Sequence, residues 1–276
     1  MKTGDCVQSR QQLQNSFDGT AYYYLKYRGH YSDDLIRLLA ESCGLNGKGR
    51  LLDLGCGTGK LTFPLARYFE ESVGIDVSQD MVQKARSQAE LLGMKNLKWI
   101  RMRSEELTED FGSFHLITAG DAFHWMEREK VLQLCYDRLV PGGTLALVDQ
   151  SHLLGDCALP WQQTVREVIA RWFGTETAEP LQFGETHERL LVRSSFSGIR
   201  SGRIKTMRKR DIHSIIGYLY STSRCHKTFL GEKAPLFEKD LSTRLRALNP
   251  EGIFEEPVKE YYILANKPRK SAIGEK

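Results

Sequence analysis

The sequence predicts an α/β fold with a doubly wound, mostly parallel sheet, and three observations carry that prediction. Between about residues 50 and 150, short apolar runs alternate with amphipathic stretches of helical period. Strands that alternate with helices make a parallel sheet covered on both faces. The first run turns abruptly into a glycine loop, LLDLGCGTGK at 51–60, as a buried strand does when it hands over to a helix. A late β-rich stretch, VKEYYILANK at 258–267, adds a strand at the sheet's edge.

Each element follows from its residues. Phe17–Leu45 reads as one or two helices that open with Tyr22, Tyr23, Tyr24, Tyr27 and Tyr31. Arg50–Leu54 is the first strand. Lys60–Phe69 is a helix in which Pro64 must sit in the first turn, where a missing N–H does no harm. Ser72–Val77 is the second strand. Ser78 caps the next helix, whose Met81, Ala85, Ala89 and Leu92 form one apolar stripe that Gly93 stops. Leu97–Met102 and Phe114–Ala119 are strands three and four. Glu127–Leu139 is helical, Pro141-Gly142-Gly143 is a turn, and Thr144–Asp149 is strand five. Beyond Asp149 the pattern loosens into helices near 159–173, 211–224 and 232–248. Strands near 199–207 and 258–265 bring the total to seven.

Composition excludes several classes. Apolar residues make up 41% of the chain, enough for a real core, and 39 basic against 35 acidic side chains leave a net charge of +4. That balance does not demand a nucleic-acid partner. The first sixteen residues are polar and lack the apolar region of a signal peptide, and no apolar run is long enough to span a bilayer. Cysteines 6, 43, 56, 135, 157 and 225 lack CxxC pairing and read as reduced thiols. The expectation is a soluble, cytoplasmic protein with no metal.

The glycine loop acquires meaning from its surroundings. Gly55-x-Gly57-x-Gly59 lies between a strand and a helix, and Asp76 ends the next strand about twenty residues later. A carboxylate there accepts hydrogen bonds from ribose hydroxyls. The dinucleotide fingerprint needs G-x-G-x-x-G, which this loop lacks. A P-loop needs a hydroxyl after its lysine, and Lys60 is followed by Leu61. Asp53, just before the first glycine, repels a pyrophosphate but suits a ligand with an ammonium group.

S-adenosylmethionine has an ammonium, a sulfonium and a ribose diol, and no phosphate. With LLDLGCGTGKL, VGIDVS, RSEEL, FHLITAGDAFHWM and PGGTLALVD in order, the chain resembles the class I S-adenosylmethionine-dependent methyltransferases. The likeness is sharp over residues 50–150. At the flanks, YLKYRGHYSDDLIRLLA and DIHSIIGYLYSTS look like segments of small-molecule members of the UbiE and trans-aconitate methyltransferase type. The resemblance implies a Rossmann-like, mostly parallel seven-stranded sheet with a late antiparallel strand. It also implies one catalytic domain: a helical cap at 1–45, a cofactor-binding core at 46–150, and lid insertions with the final strands at 151–276.

The resemblance assigns roles as well. Gly55, Cys56 and Gly57 bring backbone, with Thr58 an alternative to Cys56, close to the methionine moiety and ribose. Asp53 faces the methionine amino group, directly or through water. Asp76 binds the ribose, Val77 packs near the adenine, and Ser104 and Glu105 contact the adenine because Arg103 stands where the family often has an acid. Asp121 joins the cofactor set, and the second product is S-adenosylhomocysteine.

The segment Asp121–Trp125 follows the fourth strand at the carboxyl end, where ligands bind in open α/β sheets. His124 is a candidate base with a suitable ordinary pKa. The competing reading is that His124 and Trp125 only shape the pocket. Tyr23, Tyr27, His30 and Tyr31 are candidate acceptor contacts, although the tyrosines recur at helical spacing and suit simple packing equally. Arg193, Arg200, Arg203, Lys205, Arg208, Lys209 and Arg210 form a basic run suited to an acidic substrate, RNA or an anionic membrane, or simply to a solvated face beside a strand. The segment GDAFHW stands where many amino-group methyltransferases have Asn/Asp-Pro-Pro-Tyr. The favoured expectation is a small-molecule acceptor. An RNA or protein methyltransferase is the alternative, and a non-catalytic cofactor-binding protein the third reading.

Overall fold

The computed structural model describes residues 20–151, 153, 155, 159–174 and 185–269. The first sixteen residues, Cys6, Cys157 and the basic Lys270 lie outside the described residues. The chain divides into two compact units. One contains residues 30–149, 183–204 and 260–276; the other contains 1–29, 150–182 and 205–259.

Seven strands form one sheet: β1 (Arg50–Leu54), β2 (Glu71–Asp76), β3 (Leu97–Arg101), β4 (Phe114–Gly120), β5 (Leu139–Gln150), β6 (Ser197–Asp211) and β7 (Ile253–Asn266). Their order is β3-β2-β1-β4-β5-β7-β6. β1 pairs in parallel with β2 and β4, β2 with β3, and β4 with β5. Gly142 and Gly143 exchange backbone hydrogen bonds with Lys267, whereas Ser151 donates to Lys259. The numbering runs in opposite directions along the two strands, so β7 is antiparallel to β5. The late strand is therefore antiparallel, as expected. Its expected place at the edge is corrected: β7 lies between β5 and β6, and β6 holds the edge. The charge pattern explains this. Arg203, Lys205 and Lys209 on β6 are exposed, which an edge tolerates, whereas β7 carries the buried run Ile263, Leu264, Ala265.

Strand periodicity places neighbouring side chains on opposite faces of the sheet. Leu52 and Leu54 of β1, and Leu145 and Leu147 of β5, pack with Val131, Leu132 and Cys135 of the helix Arg128–Arg138. Leu51, Ala146 and Val148 pack on the other side with Leu35, Ile36 and Leu39 of the helix Asp33–Ser42. Both faces are thus covered. Ser78 caps the helix Gln79–Leu91 by accepting from the Met81 N–H.

Two further expectations change. The helix read over Lys60–Phe69 shortens to Thr62–Ala66, because the glycine loop runs to Gly59 and a turn follows. Pro64 does lie in its first turn. The Pro-Gly-Gly turn is absorbed into β5, which pairs Leu139 with Phe114 before the register breaks between Phe114 and Leu116. Gly142, at φ +84°, makes that irregularity possible.

The other unit is helical, with Ala21–Tyr27, Pro160–Phe173, Ile212–Tyr220 and Ala234–Leu248 around an aromatic core of Tyr27, Trp161, Tyr218, Tyr220 and Phe237. Buried Arg210 sits 2.8 Å from Glu256 and donates to the Tyr27 carbonyl at 2.9 Å. A buried charge is tolerable when it is paired and hydrogen-bonded, and here Nε and Nη1 are matched while Nη2 has no hydrogen-bond partner among the described residues.

Candidate active site

The chain runs from β1 outward through β2 to β3, then returns to β4 and β5 on the other side of β1. This reversal falls at the carboxyl ends of β1 and β4, the place where open α/β sheets bind ligands. The loop after β1 and the loop after β4 meet there. Gly55 has φ +61°, and a Cβ on it would come within 2.5 Å of the Ala122 Cβ. Only glycine permits both that backbone and that approach.

Asp76 organises the glycine loop. Its Oδ2 accepts from the Gly57 N–H at 2.9 Å, and its Oδ1 accepts from the Ser78 N–H at 2.8 Å. Gly57 has φ +53°, a conformation that favours glycine. Cys56 is buried, and burial pushes its thiol well above the ordinary range, followed by the charges of Asp76 and Asp53. It is a packing group and not a nucleophile. Thr58 Oγ1, in the same loop, is buried without a hydrogen-bond partner among the described residues. The Val77 carbonyl accepts from Arg101 Nε at 3.2 Å.

Asp53 is 1% exposed. Thr62 Oγ1 donates to its Oδ2 at 2.5 Å and Thr118 Oγ1 donates to its Oδ1 at 2.7 Å. Burial pushes its pKa up to about 6; the two hydroxyls hold it down and the neighbouring charge of Asp76 raises it.

Ser104 and Glu105 are buried in the turn after β3. Glu105 Oε1 accepts from the Glu127 N–H at 2.8 Å, and its Oε2 lies 3.4 Å from Arg103 Nε. The carboxylate therefore braces the turn after β3 against the segment after β4. Asp121 is the one non-glycine residue with positive φ among the described residues, at +50°. Its N–H is held by the Val148 carbonyl at 2.8 Å, and its Oδ2 accepts from the Tyr31 hydroxyl at 3.1 Å. Backbone strain of this kind persists where surrounding bonds enforce it, often at functional sites.

His124 is buried, and Trp125 packs against it with ring centroids 5.1 Å apart. Its Nδ1 lies 3.8 Å from Asp149 Oδ1, while His187 Nε2 lies 3.8 Å from Asp149 Oδ2. Burial drives the Asp149 carboxyl up to about 7, with the charge of Asp121 adding to it. Burial lowers His187 to about 4, helped by Arg128. Asp149 and His187 were not singled out from sequence. Asp149 carried a readable signal, an acid at the end of an apolar strand like Asp76. His187 carried none, since it opens a short helix, His187–Val192, that no pattern announced.

The remaining candidates divide. Tyr31 reaches Asp121, as above. His30 is exposed. Tyr23 and Tyr27 belong to the helical unit, where Tyr27 is buried with its hydroxyl 2.6 Å from His213 Nε2. Tyr23 stacks on Tyr27 and meets Tyr220 edge-on.

Sheet order defines a class: a Rossmann-like seven-stranded fold with one antiparallel strand. Residues 51–143 match the methyltransferase domain family. A trans-aconitate 2-methyltransferase from Deinococcus radiodurans is 32% identical over 142 residues, which cover 50% of each chain. A tRNA/tmRNA (uracil-C(5))-methyltransferase from Nitratiruptor is 37% identical over 62 residues, 22% of this chain and 17% of that one. The chain thus spans half or less of the length of these relatives. A type II methyltransferase structure from Anaeromyxobacter dehalogenans, 20% identical, superposes with a TM-score of 0.57 over 88% of this chain and 98% of its own. Residues 51–143 thus resemble a methyltransferase domain, set in a seven-stranded Rossmann-like fold. Among the described residues no helix is long and apolar enough to cross a membrane.

Proposed function

We propose that the protein transfers a methyl group from S-adenosylmethionine to a small-molecule acceptor. One observation carries this reading: carboxylates gather at one end of the parallel strands. Asp76 raises the pKa of Asp53, and Asp121 raises that of Asp149, so within each pair the charges feel one another. Such a site favours a cationic ligand and rejects a pyrophosphate. The residues fit the cofactor in other respects too. Asp76 is only half-buried and stands at the end of β2, where a ribose diol needs an acceptor. The loop beside it holds the orphaned Thr58 hydroxyl.

S-adenosylmethionine supplies an electrophilic methyl on a sulfonium that needs no activation. What remains for the protein is alignment, exclusion of water and, where required, removal of a proton from the acceptor. Asp53 holds the β1 end in place through Thr62 and Thr118. Asp76 fixes the loop through Gly57 and would hold the cofactor ribose. Asp121, held by Tyr31, sets the wall toward β5. His124, with Asp149 and His187 beside it, stands after β4 where the acceptor's proton would leave.

The small-molecule acceptor is supported by the trans-aconitate relative, which shares half of each chain with this protein. The RNA-modifying relative aligns over only 62 residues. The basic run gives RNA less than its sequence suggested, because Arg210 is buried on Glu256 and Arg208 lies 3.7 Å from the same carboxylate.

Calorimetry with S-adenosylhomocysteine tests the reading. Loss of the Asp76 carboxylate removes charge-assisted bonds of about 1.5–3 kcal/mol each. Asp76→Ala is therefore expected to weaken binding by roughly 100-fold. Equal affinity in the variant and the parent would overturn the ribose assignment. Salt-sensitive RNA binding that weakens on replacing Arg203, Lys205 and Lys209 would overturn the small-molecule acceptor.

A further inference from the structure

We infer that His124, Asp149 and His187 form a site for one divalent first-row transition-metal ion. The three side chains come from different parts of the sequence: the turn after β4, the end of β5 and the first residue of the helix His187–Val192. Each offers one ligand atom, and these atoms all lie within 4.8 Å of one another.

The spacing is the main argument. At 3.8 Å on each side of Asp149, neither histidine is hydrogen-bonded to the carboxylate. Two donors each about 2.1 Å from a shared ion stand roughly 3.0 to 4.2 Å apart as the angle between them opens. The gap is thus too wide for direct contact and the right width for an ion. The two 3.8 Å separations run to different carboxylate oxygens, so an ion meets both oxygens of Asp149 or draws one inward, and one ligand atom from each of the three side chains already lies within 4.8 Å of the others.

The surroundings hold the donors in place. The His187 ring meets the Phe123 ring edge-on, with centroids 5.1 Å apart, and the His124 ring rests against Trp125. Asp121 adds negative charge beside Asp149. Arg128 opposes, since its Nη1 lies 3.4 Å from His187 Nδ1. A metal on Nε2 needs the proton on Nδ1. Arg128 must then release that nitrogen, and its Nη1 already reaches the Glu185 carbonyl at 2.5 Å.

Two imidazoles and one carboxylate suit zinc, iron or manganese better than magnesium or calcium, which prefer oxygen throughout. Three protein ligands leave coordination positions open, as in catalytic sites. This last part rests on the methyltransferase reading: an open position takes an oxygen of the acceptor and makes its proton easier to lose. The acceptor is then an oxygen-bearing chelator such as a hydroxy or carboxylate compound, and His124 serves as a ligand instead of a base.

Cobalt(II) titration of chelator-treated protein, followed by visible absorption and calorimetry, tests the site. One cobalt per chain with a ligand-field band, displaced by zinc, is the expected result. Asp149→Ala and His187→Ala should each weaken binding at least tenfold, and Arg128→Met should bind at least as tightly as the parent. An unchanged Tm in the variants shows that the fold is intact. Absence of one-to-one binding, or equal binding by the parent and the two alanine variants, would overturn the proposal. Binding of S-adenosylhomocysteine is read separately, so failure of the metal site and failure of the cofactor reading are told apart.

Discussion

Asp53 and Asp149 stand near the ends of two parallel strands of the same sheet, each between two polar side chains. Around Asp53 the partners are threonine hydroxyls at 2.5 and 2.7 Å. Around Asp149 they are imidazoles at 3.8 Å on both sides. Asp53 is sealed from solvent, whereas 37% of the Asp149 side chain remains exposed. Among the described residues one carboxylate is matched by side-chain hydroxyls and the other is not. A complete carboxylate is part of the scaffold, and an incomplete one awaits a ligand or a proton.

The sharpest way to break this contrast is to unmake the complete site. Thr62→Val with Thr118→Val leaves Asp53 buried and without donors, which should lower stability by about 4 kcal/mol in denaturant unfolding. Adding Asp53→Leu should return part of that loss, because it removes the unmatched charge. By contrast, Asp149→Asn should change stability by less than about 1 kcal/mol, since no close partner is orphaned.

A second test uses pH. The folded-state pKa of Asp53, about 6, lies above its ordinary 3.8, so the fold prefers the protonated form. Stability from this group is unchanged below about pH 4 and declines as pH rises to about 6, by of order 3 kcal/mol. Asp53→Asn should flatten the measured dependence over that window. A binding partner that places positive charge nearby should flatten it also.

A smaller effect probes the loop that joins the two halves. Gly55→Ala should cost about 2 kcal/mol, from the positive φ and from overlap with Ala122. Pairing it with Ala122→Gly should recover only the overlap, and the two parts separate in a double-mutant cycle.

Much of the first half of the site was legible in sequence. Gly55, Gly57, Asp53 and Asp76 fall within twenty-odd residues, and local spacing carries their geometry. What sequence did not show is which neighbours complete them. Thr118 reaches Asp53 across β1 and β4, a pairing set by sheet register. The Asp149 side was less legible for the same reason, carried further. His187 arrives from a helix that follows a long interval without pattern, and nothing local marks it. In the fold, the five core strands were readable because two-sided burial writes itself as apolar runs. The place of β7 was not, since strand order depends on how edges are protected.

That strand order has a bearing on synthesis. β6 precedes β7 in the chain, yet among the described strands it neighbours β7 alone. While the ribosome is still adding residues 212–252, β6 has no partner, and the outer edge of β5 stands open as well. Both edges of β6 and the outer edge of β5 are therefore unpaired until residue 266 has emerged. A chain halted before Ile253 would lose two strands and not one, and would be the form most in need of a chaperone.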